Sequence, residues 1–424
     1  MFIWLLVGYM WFFLVRPWDW EMFAGLPGTA PVYLTSAVVC LIVVWTFSQF
    51  SNPDVSDRRP LGNIFTLALL LYVSAVTVSA LFSPYQAFLN SNFQVWILCI
   101  VPVYVILVTG VRTEKDLKIF VTGFTLAFAF NVCLAYWGYL MTGNVRQIVG
   151  AEGIVGTGRG GTNANAFAGI IVSALPLVIA LIALCKKYWH YLFALGYILV
   201  SVRVATMTGS RTGLFMLLAL AVTPVLFSRY RFRLLPVLLL MPIFWFAMPE
   251  DMQNRYRTIW DPDINKTANY TVDHRVFLFY DVLKYWQQYP VFGIGPDAYL
   301  DAEGTGVPAH SIPTKLAGEL GTVGVVTFLF LLSCFGINHY NVWKNYKYLK
   351  EKNLGKEGLY CWRVSLAVMY AVLVMLVRGI AGGEVLGFFW TWLGAFQVLA
   401  AMFMQEKVTA AMQGKLLPSL PMRM

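Results

Sequence analysis

Apolar runs of about 16 to 25 residues recur along almost the whole chain, and this repetition constrains the fold more than any single motif. They fall near residues 1–15, 30–47, 62–82, 93–109, 117–141, 164–184, 190–208, 212–227, 234–248, 316–337, 361–377 and 386–404. Each is long enough, or nearly so, to cross ~30 Å of hydrocarbon as a helix. Composition agrees: 59% of the 424 residues are hydrophobic and 12% charged, against roughly 25% charged in soluble domains. The expected fold is therefore an all-α integral membrane protein of about 12 transmembrane helices.

Basic residues in short loops set the orientation. Arg58, Arg59, Arg112, Lys115, Lys186, Lys187, Arg229, Arg231, Arg233 and the lysines from Lys344 to Lys356 all fall in one set of alternate loops. Assigning that set to the cytoplasm puts both termini there and places residues 248–315 outside. The net charge of +10 is then mostly a topology signal and gives no argument for nucleic-acid binding. The first apolar run begins at Met1 without a basic leader or a small-residue cleavage site, so it reads as a retained span. All six cysteines, Cys40, Cys99, Cys133, Cys185, Cys334 and Cys361, lie in or beside spans without CxxC spacing. Neither a disulfide framework nor a zinc site is expected.

One membrane domain accommodates these features. Residues 1–247 carry nine spans, 248–315 form one large outer loop, 316–404 carry three more spans, and 405–424 are a cytoplasmic tail. Three polar outer segments emerge on one face: Gly150–Gly169 (GAEGIVGTGRGGTNANAFAG), the tight turn TGSRTG at Thr208–Gly213, and the long loop running into HSIPTKLAGELGTVG at His310–Gly324. A shared face is the condition for a composite site.

Charge inside or beside apolar runs narrows the candidates. Arg211 sits on a turn between two spans, where a charge marks either a substrate path or a snorkelling interfacial residue. Residues 274–289 read as an amphipathic helix in which Asp281, Lys284 and Gln288 share one face. Arg275 falls roughly opposite, in phase with Val282 and Trp286, where it needs an anionic partner from the protein or a ligand. Arg255 and Arg257 add positive charge to the same outer loop. His310 precedes Ser311 and Pro313, which mark a helix start near Ser311 or Ile312. The free N–H groups of such a start favour an anion, and a histidine there suits proton transfer at neutral pH; a surface or capping role is the alternative. Glu319, further along, is a substrate contact or a structural partner for an arginine. Asn163 and Asn165, at the entrance of the sixth span, are placed to hydrogen-bond a sugar, and the glycine run with Arg159 lets backbone approach a phosphate closely. Asp261-Pro262-Asp263 has the form of a metal-dependent sugar-transfer motif but falls on the outer side, away from nucleotide sugars, and reads as a turn.

Taken in order, TNANAFAG (Thr162–Gly169), SRTG (Ser210–Gly213), an arginine-bearing helix leading to YPVFGIGPDAY (Tyr289–Tyr299), and HSIPTKLAGELGTVG (His310–Gly324) give a clear likeness. The chain resembles the O-antigen ligase and polymerase superfamily of bacterial membrane glycosyltransferases. The resemblance implies a GT-C-like fold in the bacterial inner membrane with a periplasmic site. It implies a donor glycan on undecaprenyl pyrophosphate and an acceptor that is a lipid A-core sugar for a ligase, or another lipid-linked glycan for a polymerase. Arg211, Arg275 and His310 match the family's essential positions. Arg159, Asn163, Asn165, Ser210, Arg255, Arg257, Ser311 and Glu319 are the accompanying substrate-binding candidates, and Ser311 stands where the family usually has Asn. The expected reaction is metal-independent, inverting and without cofactor, catalysed by a monomer among membrane lipids. Ligase is the first reading and polymerase the alternative. A lipid-linked-sugar transporter or a structural membrane protein ranks below both, because the candidate residues cluster at one face.

Overall fold

The computed structural model describes residues 2–15, 30–50, 59–142, 164–227, 242, 245–246, 248, 250–261, 266–303 and 311–416. The expected ninth span near 234–248 therefore lies largely outside the described residues, as do Arg159, Asn163 and His310 and the side chains of Arg255 and Arg275.

In chain order the main helices are α1 (Phe2–Val15), α2 (Ala30–Phe50), α3 (Ile64–Leu81), α4 (Ser91–Gly110), α5 (Glu114–Thr142), α6 (Asn165–Ile182), α7 (Tyr188–Met207), α8 (Arg211–Phe227), α9 (Glu250–Arg257), α10 (Lys266–Gln288), α11 (Ile312–Glu351), α12 (Gly355–Ala381) and α13 (Phe388–Met412). Among the described residues, eight of these (α3 to α7 and α11 to α13) are long and apolar enough to cross a membrane, and α1, α2 and α8 contribute shorter apolar helices. The described residues are all-helical, consistent with an α-helical integral membrane protein, and eleven of the twelve expected spans coincide with one of these helices.

Packing in the bundle follows the aromatic and small residues. α13 is the most enclosed span, with 78% of its apolar window buried. Its Phe388, Phe389, Trp392 and Phe396 interlock with Phe13 of α1 and Phe124 and Phe128 of α5. Edge-to-face pairs of this kind add about 0.5–1.5 kcal/mol each beyond simple contact. Lipid offers apolar surface as good as protein, so helix association here rests on such fitted contacts and on hydrogen bonds. One is a reciprocal amide pair in which Asn63, beside α3, and Asn338 of α11 each donate to the other at 3.0 Å.

Two helices contain wide turns, and the one in α11 shapes the site. α4 contains a wide π-type turn at Trp96–Ile100. α11 opens with a similar turn at Lys315–Glu319 and then kinks at Gly321, whose φ of 66° lies in the left-handed region. Among residue types only glycine enters that region freely.

Candidate active site

The break in α11 exists because another segment runs alongside it. The loop Pro290–Gly295 lies against the opened turn and exchanges backbone hydrogen bonds with it like a short strand. Thr322 N–H donates to the Pro290 carbonyl at 2.9 Å and Val323 N–H to Val291 at 3.1 Å. In return, Ile294 N–H donates to Gly318 at 3.0 Å and Gly295 N–H to Glu319 at 2.8 Å. The widened turn leaves these helix carbonyls without their usual partners, and the loop supplies them. Approach this close excludes side chains: a β-carbon at Gly321 would stand 2.5 Å from Gly293 N. Ser79, at the end of α3, fastens the seam from the other side by donating to Phe292 O at 2.6 Å and Glu319 O at 3.0 Å. The motif pair FGIGPDAY and LAGELG is therefore first of all one folded seam.

The seam aims a charged group into the bundle. Asp297, held at φ 53°, meets Lys315 of the opened turn at 2.6 Å, and both side chains are nearly buried. Its other carboxylate oxygen accepts from Asn92 Nδ2 at 3.0 Å, and its backbone N–H donates to Glu319 Oε2 at 3.1 Å. Glu319 is buried, so its carboxylate secures the Asp297 loop. Asp281, expected on the polar face of its helix, is also buried, because it accepts from Tyr299 Oη and Lys284 Nζ, each at 2.8 Å. That places α10 firmly on the seam, with Val282 against Gly318.

A second junction forms where α6, α7 and α8 meet. Gly209, at φ 64°, turns the chain between α7 and α8. Ser210 caps α8 by accepting from Gly213 N–H at 3.1 Å, and its hydroxyl donates to Asn165 Oδ1 at 2.7 Å. Arg211, half-buried, begins α8 directly beside this bond. Tyr256 of α9 is buried and donates to Thr206 O at 2.8 Å, docking that short helix at the same end of α7. Next to it Arg257 is exposed and bonds Asn254 at 3.1 Å.

Ser311 makes the helix start that its neighbours foretell. It caps α11 with a reciprocal box to Thr314, and Pro313 sits in the first turn. Behind the cap, Ile312 presses into the gap left by Gly379 and Gly383 at the end of α12. The last turn of α12 in turn meets α6: a β-carbon at Gly169 would stand 2.6 Å from Arg378 Cδ and 2.8 Å from Cζ.

These contacts enclose a cavity of about 330 Å³. Its walls are apolar, built from Phe13, Leu34, Phe128, Phe167, Met375 and Phe388 among others, and its polar lining includes Asn92, Asp297, Lys315, Arg378 and Glu384. Phe167, two residues beyond Asn165, and Ile312, one beyond Ser311, bring α6 and α11 to the cavity wall, whereas Asn165, Ser210, Arg211 and Ser311 do not line it. Among the described residues no group of three His, Cys, Asp or Glu side chains stands close enough to hold a metal ion.

Of the candidates from sequence, Asn165, Ser210 and Arg211 come together, Ser311 caps the helix into which His310 leads, and Glu319 braces the seam. Arg275 belongs to α10, seven residues before Val282. Asp297, Lys315 and Arg378 escaped sequence reasoning. Asp297 and Lys315 stood inside quoted motifs; a charge about one turn into a span was the available signal for Lys315, and Arg378, near the end of an apolar run, gave a similar one.

Residues 196–329 match the family model for O-antigen ligase, and no curated protein matches the chain. The matched stretch begins in α7, includes the Ser210–Arg211 turn and the loop–helix seam, and ends within α11, while most residues lining the cavity lie outside it. Through these residues the chain is similar to O-antigen ligase, and this supports its place in the O-antigen ligase and polymerase superfamily.

Proposed function

We propose that the protein is an O-antigen ligase of the bacterial inner membrane, transferring a glycan from undecaprenyl pyrophosphate to a lipid A-core sugar at the periplasmic face. The observation that carries this reading is that the TNANAFAG helix, bonded to the SRTG turn, and the Ser311-capped helix both line one apolar cavity with a charged lining. Such a cavity suits a substrate with a lipid chain and an anionic head.

In the transfer, an acceptor hydroxyl oxygen attacks the anomeric carbon and forms the new glycosidic bond. The bond from that carbon to phosphate breaks, and its electron pair stays on the departing lipid pyrophosphate. The acceptor proton passes to a base, for which His310, beside the α11 start, is the candidate. A single displacement inverts the anomeric configuration. Negative charge grows on the leaving phosphate, where the forked donors of Arg211 and Arg275 stabilise it without a metal. Asn165 and Ser210 hold the turn that presents Arg211, and Ser311 fixes the helix start behind His310. Arg159, Asn163, Arg255 and Arg257 are assigned to binding the donor glycan and its pyrophosphate, and the enzyme works as a monomer without cofactor.

The test uses purified protein with an undecaprenyl-pyrophosphate glycan and lipid A-core, without nucleotide or metal, and mass spectrometry of the products. Glycan on lipid A-core, lost with His310→Ala, is the expected result. Longer glycans on the carrier and none on the core would make the protein a polymerase of the same superfamily. Neither product from native substrates would refute the enzyme reading. Transfer that survives thorough chelation is expected; reversible loss on chelation would overturn the metal-free mechanism.

A further inference from the structure

Arg378 is the cation in the cavity that the roles assigned so far leave unexplained. It lies in the last turn of α12, lines the cavity, and carries a buried Nε without a hydrogen-bond partner. Among the described residues no carboxylate stands within ion-pair distance of it. Lys315, the other cation in the lining, is already matched by Asp297 at 2.6 Å. Glu384 lines the same cavity but is exposed and makes no ion pair with the arginine among the described residues. The negative end of the α12 dipole favours a cation there, yet that attraction is a fraction of the penalty for removing a guanidinium from water.

The neighbouring helices are shaped to hold this side chain. α6 has no side chain at Gly169, and Arg378 lies directly on its backbone there, its Cδ and Cζ where a β-carbon would stand. One residue on, Gly379 receives Ile312. Arg378 is thus clasped where α6, α11 and α12 meet, within reach of two of the motifs that built the site. A cation fixed in place, half-buried with its Nε enclosed and short of partners among the described residues, is arranged for an anion that arrives from outside the protein.

We propose that Arg378 is an anion-binding residue that holds a phosphate of a phosphorylated lipid, with the first part of the lipid chain lying on the cavity's apolar walls. About 330 Å³ is at the small end of ligand pockets, which suits a head group and the start of a chain. The choice of a polyprenyl phosphate as that lipid rests on the transfer reaction proposed above; the anion subsite itself rests on the geometry of Arg378.

Binding separates the two. Purified wild type, Arg378→Gln, Arg378→Lys and Gly169→Ala are titrated with undecaprenyl phosphate and with neutral undecaprenol, and in a second arm with phosphatidylglycerol and diacylglycerol. Wild type is expected to prefer the phosphorylated polyprenyl lipid by about 10- to 100-fold, the range of a charge-assisted hydrogen bond. Arg378→Gln should reduce that preference to near unity while undecaprenol binding stays unchanged, and Arg378→Lys should keep part of it. Gly169→Ala, which displaces the side chain without removing its charge, should behave like Arg378→Gln and carries the test if the latter loses undecaprenol binding too. The same loss seen in the phosphatidylglycerol arm supports the subsite with a bilayer lipid as occupant. A wild type without preference for phosphate in either arm, or variants that keep it in full, would overturn the inference. Failure of the ligase reading looks different: wild type transfers no glycan, yet its Arg378-dependent phosphate preference remains.

Discussion

The Lys315–Asp297 pair gives a prediction in which stability and chemistry separate. The two charges meet at 2.6 Å with side-chain exposures of 10% and 13%, so either one left alone is a nearly buried, unmatched ion. Removing one partner of such a pair typically costs about 3–5 kcal/mol. Asp297→Asn is the cleaner change, because Asn tolerates the left-handed φ of 53° and keeps the side-chain volume. Lys315→Met removes the other charge and preserves the length of the chain. Each single variant should lower the unfolding midpoint in detergent sharply, while Lys315→Met/Asp297→Asn should recover to within about 1–2 kcal/mol of wild type, because a neutral pair no longer needs charge matching. Glycan transfer should stay depressed in the double variant, since the ammonium lining the cavity is gone. Single variants each within about 1 kcal/mol of wild type would refute the claim that this pair holds the seam. Full activity in the double variant would show that Lys315 serves folding alone.

Gly321→Ala should destabilise the protein by about 2–4 kcal/mol, from left-handed strain of ~1–2 kcal/mol and disrupted seam hydrogen bonds, since its β-carbon would stand 2.5 Å from backbone. Gly336→Ala in the same helix has open space around it and should be neutral or slightly stabilising, so equal unfolding midpoints for the two would sink the seam argument. Ser210→Ala removes both the α8 cap and the bond to Asn165; a loss of about 1–2 kcal/mol is expected, with transfer falling further than stability. Arg211→Ala and Arg275→Ala should each reduce transfer about 10²- to 10³-fold at matched folded protein, and wild-type rates in both would remove them from the mechanism.

Much of the fold was legible because the sequence writes span length directly: eleven of the twelve runs coincide with helices, since a run that long can bury its backbone only by coiling on itself. The Ser311 start was legible for a similar local reason, as Ser, Pro and Thr at 311, 313 and 314 fit a capped first turn and little else. Pairing was not legible. Lys315 and Arg378 carry the same signal in sequence, a cation near the end of an apolar run, and periodicity assigned Asp281 to the polar face of α10 although Tyr299 buries it. The partner that distinguishes such residues comes from a segment remote in sequence: Asp297 reaches Lys315 only because Gly321 and Gly293 let a loop replace a turn of helix. Gly169 carried no charge signal at all, yet its missing side chain is what lets Arg378 lie against α6. A cation beside the cavity becomes interpretable only once its surroundings are known, and here they give different answers: Lys315 forms an ion pair with Asp297, while Arg378 is held in a fitted place and forms none among the described residues. That difference in pairing, invisible in composition or period, separates a cavity charge that also holds the seam from one whose place no ion pair among the described residues explains.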